Sequence, residues 1–321
     1  MARPQLTFLV HRGKDYTFRH YFKTWGAELS ERVAIRTYPG VGATGRTLSK
    51  RINRRLKSWR TGTLSLGQTP PPGSIYVFTD LEILAAGEVE LVEALARRLA
   101  ESPGTTILND LARSLTRFDL LRALHEAGVN SFEVERVNRS VEPERWPVYT
   151  RDDRSHDDGS MSELLHSAAE LSRHLTDLTA SGADLSHRTL VEYAGAPGDD
   201  GLFRKYAAMR LGDAIIPCHI FFGRHWVVKH SAVFDEVTAR EELGYIEANP
   251  HKEVLRRAFD LAGIEYGRAD SGVVDGRVEV WEINTNPYVI RPEYTRQEAR
   301  KEALAAFSER FNDALITLLD R

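Results

Sequence analysis

Residues 266–287 read YGRADSGVVDGRVEVWEINTNP, a pattern that predicts two strands of a β-hairpin. Glu282 and Asn284 are two residues apart on the second strand, so their side chains share a face. With Asp270 on the first strand, they bring two carboxylates and one amide oxygen towards a common strand end. Mg²⁺ prefers oxygen ligands of this kind, so the stretch indicates a magnesium site.

The register of this hairpin determines whether the three side chains meet. A two-residue Asp275-Gly276 turn with a regular ladder places residue 270 opposite residue 281, which puts Asp270 and Glu282 on opposite faces. A three-residue loop, or an equivalent bulge, puts both carboxylates on one face together with Arg268. The metal hypothesis requires this second arrangement.

The same pattern has a simpler interpretation. Charged residues that alternate with Val278 and Val280 are also typical of the solvent face of an ordinary hairpin. That interpretation does not explain an acid and an amide placed just before Pro287, which ends the strand. From the residues alone, a metal site and a solvated face remain evenly balanced.

The composition of the whole chain excludes several classes of protein. The chain has 321 residues, a net charge of −3 and a single cysteine, Cys218. Internal disulfides and multi-cysteine metal sites are therefore excluded. The near-neutral charge argues against a dedicated nucleic-acid-binding protein. No segment is apolar for long enough to span a bilayer, and we expect a cytoplasmic protein.

Alternating strand-like and helix-like patterns predict an α/β (α+β) fold that begins with a mostly parallel sheet. The predicted strands cover residues 5–11, 33–38, 74–79, 131–137, 147–151, 188–193, 214–222 and 225–229. The predicted helices cover residues 18–30, 47–59, 88–101, 114–127, 162–179, 252–262 and 296–319. We place domain boundaries so that the domains span residues 1–108, 109–193 and 194–321.

Residues 267–270, the hairpin and residues 282–287 together resemble the C-terminal signature of the ATP-grasp superfamily, as in D-alanine–D-alanine ligases. The resemblance extends over residues 109–290. It implies three α/β domains, with ATP between the central and C-terminal ones. It also implies that Asp270, Glu282 and Asn284 bind Mg²⁺, or Mn²⁺ in its place. Arg268 would contact the transferred phosphoryl group or the acyl phosphate.

Looser similarities assign further residues to the nucleotide. Arg151 ends a strand at the position where the family has a lysine that binds phosphates, and residues 152–159 would form the lid that follows. Glu192, in the sequence LVEY, resembles the hinge residue that contacts adenine. Lys205 and Lys229 resemble the basic residues that later strands bring to the phosphates, and Lys205 is the stronger candidate. The aromatic residue Trp226 is assigned to the core.

The resemblance implies an ATP-dependent carboxylate–amine ligase. Mg-ATP would phosphorylate a substrate carboxylate, and an amine, less often a thiol or hydroxyl, would displace the phosphate. The implied substrates are small carboxylates and amines, amino acids or peptides among them. Neither a membrane nor a nucleic acid is an expected partner, and a homodimer stays open. A small-molecule kinase of the same fold and a non-catalytic nucleotide-binding protein are the alternatives.

A glycine-rich loop over residues 40–47 favours a different class of enzyme. Its sequence GVGATGRT fits a P-loop, except that Arg46 replaces the lysine that reaches the phosphates. Asp80, which ends a predicted strand, would then be the metal-binding acid. The other interpretations are a connection that needs glycine and a helix start that binds an anion. The basic residues 46–60 predict a solvated face, a nucleic-acid contact or a site for an acidic partner.

Overall fold

The computed structural model of the chain describes residues 5–40, 61–64, 70–137, 142–153, 161–295 and 297–321. Three predictions fall wholly or mostly outside these ranges. They are the loop of residues 40–47, the basic helix of residues 47–59 and the lid of residues 152–159.

A five-stranded parallel sheet occupies the first part of the chain. Its strands are β1 (Leu6–Val10), β2 (Val33–Thr37), β3 (Thr61–Thr63), β4 (Ile75–Phe78) and β5 (Thr106–Leu108), and helix α2 (Ala86–Ala100) joins the last two. The strand order is β3-β2-β1-β4-β5, which confirms the predicted parallel sheet. The chain runs outward from β1 in one direction and from β4 in the other, so the winding reverses between β1 and β4.

The single helix predicted over residues 18–30 is wrong. The segment instead forms a short helix α1 (Tyr16–Arg19) and two 3₁₀ turns, Tyr21–Lys23 and Ala27–Glu31. The rings of Tyr21 and Phe22 both pack directly against Gly26, where a Cβ would lie within 3 Å of either ring. Glycine also weakens a helix interior, so aromatic packing prevails over helical periodicity here.

The central part of the chain forms a three-stranded antiparallel sheet in the order β6-β8-β7. Its elements are α3 (Arg117–Glu126), β6 (Val134–Arg136), β7 (Val148–Asp152), α4 (Ala168–Ala180) and β8 (Arg188–Glu192). Helix α4 begins later than the predicted residue 162. Met161 and Leu165 form bridges to Arg151 and Val148 of β7, so these residues are extended and cannot join the helix.

The last part of the chain forms a four-stranded antiparallel sheet in the order β10-β9-β11-β12. Its elements are β9 (Phe203–Leu211), β10 (Ala214–Gly223), α5 (Glu236–Ala248), α6 (Lys252–Ala262), β11 (Tyr266–Val274), β12 (Arg277–Asn284) and α7 (Glu298–Leu319). In the described ranges, every helix is too short or too polar to cross a membrane. The three sheets occupy successive stretches of chain, while the exact domain boundaries near residues 108 and 193 stay predictions.

Two predictions for this last part need correction. Residues 225–229 form bends and pair with no strand, although their sequence alternates like a strand. Helix α5 is absent from the sequence-based assignment, even though Asp235 accepts a hydrogen bond from the Thr238 backbone N–H, the cap that begins it. In the first segment the alternation is outweighed by tertiary contacts, and in the second the local cap is a signal that the assignment missed.

The N-terminal sheet packs against the C-terminal sheet through aromatic side chains. The Tyr266 ring of β11 lies 5.1 Å from the Phe8 ring and 5.8 Å from the Phe18 ring, measured between centroids. These rings are fully buried, and edge-on contacts of this kind stabilise a core beyond simple area burial. The contact fixes the N-terminal sheet relative to the hairpin that carries the candidate site.

Asn109 is a second link between the two sheets. It is fully buried and left-handed, with φ of 58°. Its amide donates to the carbonyls of Phe78 and Tyr266, and its side-chain oxygen accepts from the backbone N–H groups of Glu265 and Tyr266. One side chain therefore joins the ends of β4 and β5 to the start of β11.

We expect Asn109→Ala, which removes four hydrogen bonds, to lower the free energy of unfolding by about 5–6 kcal/mol. Each lost hydrogen bond costs about 1 kcal/mol, and alanine is strained at positive φ by about 1–2 kcal/mol. Asn109→Gly loses the same hydrogen bonds but avoids the strain at positive φ, so it should lower the stability less than Asn109→Ala. Asn249→Ala is the matched control, since Asn249 is also left-handed but its side chain donates only to Ile215. Urea denaturation that gives equal losses for Asn109→Ala and Asn249→Ala would contradict this account.

Candidate active site

The β11–β12 hairpin brings the predicted ligands together by means of a bulge. Val274 pairs with Arg277, so the turn is the two-residue Asp275-Gly276 turn, with φ of 50° and 76°. The register shifts between Asp270 and the next residue, which compensates for the short turn. The arrangement that the metal hypothesis requires is therefore present, although the three-residue loop is not.

The bulge sets the four polar residues in two cross-strand pairs. Asp270 lies opposite Glu282, and Arg268 lies opposite Asn284. Directly opposed residues in an antiparallel pair point to the same side of the sheet. All four side chains therefore occupy one face, and Ala207 of β9, opposite Asp270, extends that face towards Lys205.

Two basic side chains hold the Asp270 carboxylate. Arg268 donates to both of its oxygens, at 2.7 and 3.1 Å, and the Lys205 ammonium lies 3.2 Å from Oδ2. Asp270 is 2% exposed, so these contacts are shielded from water. Burial opposes the charge of Arg268, but Asp270 outweighs that effect and raises the pKa of the guanidinium.

Two arginines from the central part of the chain hold the Glu282 carboxylate. Arg151 of β7 and Arg117 of α3 lie 2.8 and 3.1 Å from Oε2. The Asn284 amide donates to Oε1 at 3.2 Å, which leaves its own oxygen as the atom that could bind a cation. Burial opposes ionisation of Glu282, yet Arg151 and Arg117 prevail and hold the pKa of Glu282 well below its usual range.

The cluster has more positive than negative charge. Arg117, Arg151, Lys205 and Arg268 surround only two carboxylates, Asp270 and Glu282. Such a site attracts an anion, and arginine forks match phosphate oxygens well. No three His, Cys, Asp or Glu side chains group as metal ligands within the described ranges. A cation here would bind two carboxylates and an amide, a set that suits Mg²⁺ with phosphate and water oxygens.

This charged cluster lies at the bottom of a cavity of about 540 Å³ that all three sheets line. One wall is aromatic. The Trp226 ring lies 5.3 Å from the rings of both Tyr149 and Tyr193, measured between centroids. Phe132 and Trp281 complete this wall. Trp226, assigned to the core from sequence, therefore faces a cavity of the size that binds a small molecule.

Glu192 and Lys229 also line the cavity. The Glu192 carboxylate accepts hydrogen bonds from the backbone N–H groups of Glu133 and Arg145, and from the Arg145 guanidinium. Its oxygens therefore already have partners within the chain. The side chain fixes β8 beside this wall, and its contact with adenine stays a prediction.

The N-terminal sheet supplies the third wall, which contains Lys14, Tyr16, Thr17, Asp80 and Glu82. The residues just after β12 attach it to the hairpin. Thr285 accepts from the Leu81 backbone N–H and donates to Glu82, while Asn286 donates to Asp80 at 2.9 Å. The motif after Asn284 therefore holds a loop of the N-terminal sheet against the charged cluster.

Sequence reasoning missed Arg117, Asp80 and Asn286 as residues of this site. Arg117 begins α3 and is one of many basic residues, with no local signal that it is buried. Asp80 carried a signal, since it directly follows an apolar strand, but it was assigned to the P-loop alternative. Asn286 lies within the recognised motif, and its contact across 206 residues to Asp80 depends on tertiary structure.

Three solved structures of ligases match nearly the whole chain. ATP-grasp ligase PsnB complexed with minimal precursor, Mg and ADP gives a TM-score of 0.55 at 13% identity, covering 100% of both chains. PsnB with a phosphomimetic variant of that precursor gives 0.55 at 14%, covering 99% of this chain and 98% of that one. D-alanine–D-alanine ligase from Bacillus anthracis gives 0.50 at 13%, covering 99% and 98%.

The chain has the ATP-grasp fold. The fold that the C-terminal hairpin implies is thereby confirmed, together with the fold class. No protein-family model matches the sequence, and a search of curated proteins finds no match. The ATP-grasp fold is thus recognised from architecture, and the assignment of chemistry must come from the cavity itself.

Proposed function

We propose that the protein is an ATP-dependent ligase that activates a carboxylate as an acyl phosphate and joins it to an amine. The observation that carries this proposal is the face shared by Asp270, Glu282 and Asn284 beside four basic side chains. Acids and an amide suit a divalent cation, and the excess positive charge suits nucleotide phosphates. An aromatic wall suitable for a base lies in the same cavity.

The Asp270, Glu282 and Asn284 side chains would hold Mg²⁺. When bound, Mg²⁺ would neutralise part of the negative charge of the nucleotide phosphates. Four basic side chains form ion pairs with the two carboxylates in this structure. We propose that these basic side chains turn towards the phosphates when the nucleotide enters. Arg268 and Lys205 are nearest to Asp270 and would offset charge on the transferred group. Arg151 and Arg117 would do so for the remaining phosphates.

The proposed reaction has two steps. A carboxylate oxygen of the substrate attacks the terminal phosphorus of ATP, which forms the acyl phosphate and releases ADP. The amine then attacks the acyl carbon, phosphate leaves with the bridging oxygen, and the nitrogen loses a proton. The walls of the cavity would exclude water during both steps and protect the acyl phosphate from hydrolysis.

The structural similarity to PsnB supports the proposal that this chain binds a nucleotide, Mg²⁺ and a peptide or amino-acid substrate. That enzyme is seen with a precursor, Mg and ADP, in the same fold. We infer that this chain also uses ATP with Mg²⁺, and that its substrates include amino acids or peptides.

The test is ADP release from Mg-ATP in the presence of pooled amino acids and small carboxylic acids. The ligase proposal expects ADP release that needs both a carboxylate and an amine. A stable phosphorylated product that forms without any amine would favour the kinase alternative. Nucleotide-dependent thermal stabilisation without ADP release from any pool would favour a non-catalytic binding protein.

We expect Trp226→Ala to weaken binding of Mg-ATP about tenfold, because stacking of a base on an aromatic ring contributes about 1–3 kcal/mol. Trp226→Phe keeps an aromatic face and should retain most of the affinity. Isothermal titration calorimetry with a non-hydrolysable ATP analogue measures the affinity of each variant. Equal affinity of the wild-type protein and Trp226→Ala would show that this wall does not bind the base.

A further inference from the structure

The N-terminal wall of the cavity lies at the point where the parallel sheet reverses its winding. β1 and β4 are neighbours in that sheet, and their following connections run in opposite directions. Open parallel sheets bind ligands in the crevice outside the carboxyl ends of two such strands. The residues found there, Lys14 after β1 and Asp80 after β4, both line the cavity. The wall therefore has the position of a ligand site in its own right.

Asp80 is the unusual residue of this wall. It is 4% exposed and adopts a left-handed conformation, with φ of 60°. Non-glycine residues held in that conformation are strained, and they concentrate at functional sites. The conformation turns the carboxylate from the end of β4 towards Asn286 and the cavity.

The two carboxylate oxygens of Asp80 differ in their partners. Oδ2 accepts hydrogen bonds from the His11 backbone N–H at 2.7 Å and from the Asn286 amide at 2.9 Å. No donor among the described residues reaches Oδ1. Lys14 interacts with the carboxylate electrostatically but forms no ion pair with it. Burial raises the pKa of Asp80, although Asn286 and His11 oppose the effect. The carboxylate is therefore oriented but incompletely neutralised.

Two other charged groups near this wall, His11 and Glu82, already have partners. His11 lies 3.7 Å from Glu88, and Glu82 accepts from the Thr285 backbone and hydroxyl. The Oδ1 atom of Asp80 is therefore available as a hydrogen-bond acceptor for a cation that enters the cavity. A hydrogen bond between a charged donor and a buried carboxylate is among the stronger polar contacts in proteins.

Asp80 is also linked to the charged cluster. Thr17 donates to the Asn286 side-chain oxygen at 2.7 Å, and the Asn286 amide donates to Asp80. Asn286 is two residues beyond Asn284, so this chain of hydrogen bonds reaches the segment that directly follows the proposed magnesium ligands. A group bound at Asp80 would thus lie in the same cavity as the carboxylate being activated.

We propose that Asp80 binds the protonated amino group of the amine substrate. This inference rests on the proposed ligase function and names the class of its second substrate: a primary amine that is cationic when it enters. The Oδ1 atom accepts the ammonium hydrogen bond, while His11 and Asn286 hold the carboxylate in place. Because an ammonium nitrogen has no free electron pair, it passes one proton to Oδ1 before it attacks the acyl carbon, and a second proton leaves as the amide forms.

The experiment separates amine binding from carboxylate activation. Hydroxylamine, which is largely uncharged near neutral pH, traps an acyl phosphate as a hydroxamate and so reports the first step. Steady-state phosphate release with the amine found in the pooled assay reports both steps. Asp80→Asn is compared with Asp275→Asn, since both aspartates are left-handed and Asp275 lies at the hairpin tip, away from the cavity.

For Asp80→Asn we expect KM for the amine to rise about tenfold or more, in line with loss of a hydrogen bond to a charged group. This rise should exceed any change in hydroxamate formation, and Asp275→Asn should match the wild-type protein. Equal losses in both reactions would overturn the inference, because Asp80 would then serve folding or carboxylate activation. An unchanged KM for the amine would also overturn it. A wild-type protein that forms no hydroxamate from any carboxylate would instead overturn the ligase function itself.

Discussion

Glu282→Gln should abolish most of the magnesium-dependent ATP turnover, with a fall of about 100-fold or more, the size seen when a charged group that stabilises the transition state is removed. The glutamine has the same shape but one fewer negative charge, and it leaves Asp270 as the only carboxylate of the set. The change should raise the Mg²⁺ concentration needed for half-maximal rate. ADP release measured over a range of Mg²⁺ concentrations gives both quantities.

The same substitution also affects folding, because Arg151 and Arg117 would lose their shared partner. Breaking a buried pair by removing one member costs about 3–5 kcal/mol. Activity must therefore be compared at a temperature where urea denaturation shows the variant folded. Glu253→Gln makes the identical change on the exposed side of α6 and should leave both activity and stability unaltered. Full activity of folded Glu282→Gln would refute the metal assignment.

Arg268→Met should lower kcat about 100- to 1,000-fold, while KM for ATP changes much less. Arg268 is held by both oxygens of Asp270, a proposed magnesium ligand, so in the proposed reaction it would lie beside the transferred phosphoryl group, where negative charge develops. Arg268→Lys keeps the charge but loses the two-pronged contact, and should recover part of the rate. Single-turnover measurements of acyl-hydroxamate formation isolate the step concerned.

The matched control for Arg268→Met is Arg240→Met, on the exposed surface of α5. It removes the same charge far from the hairpin and should have no effect on kcat. A result in which Arg268→Met raises KM for ATP and leaves kcat intact would assign Arg268 to ground-state binding alone. It would then have no part in stabilising the transferred group.

The chemistry of the hairpin can be predicted from sequence because its signals are local. Two strands, a tight turn and three oxygen-bearing side chains lie within about twenty residues. The bulge beside Asp270 cannot be placed in this way, because Gly272, the nearby residue that is compatible with a bulge, does not fix its position in the strand. A one-residue shift in register moves every side chain of a strand to the opposite face of the sheet. Whether Asp270 and Glu282 share a face therefore depends on the bulge, which the hydrophobic periodicity does not reveal.

The rest of the site depends on contacts between distant parts of the chain. Arg117 reaches Glu282 from another sheet layer, and Asn286 reaches Asp80 across most of the sequence. Arginine and asparagine are both common, and although Asn286 lies within the recognised motif, neither neighbourhood indicates the distant partner. Glu192 illustrates the converse. Its position at the end of β8 is predictable from local sequence, but the hydrogen bonds that its carboxylate accepts from Arg145 depend on where that arginine lies in space.

The most direct test of the ligase account follows an oxygen atom. The substrate carboxylate is labelled with ¹⁸O and incubated with the protein, Mg-ATP and the amine, and the released phosphate is analysed by mass spectrometry. Activation as an acyl phosphate predicts that each phosphate carries one oxygen from the carboxylate. Phosphate that contains no label, formed while the amide accumulates, would contradict it.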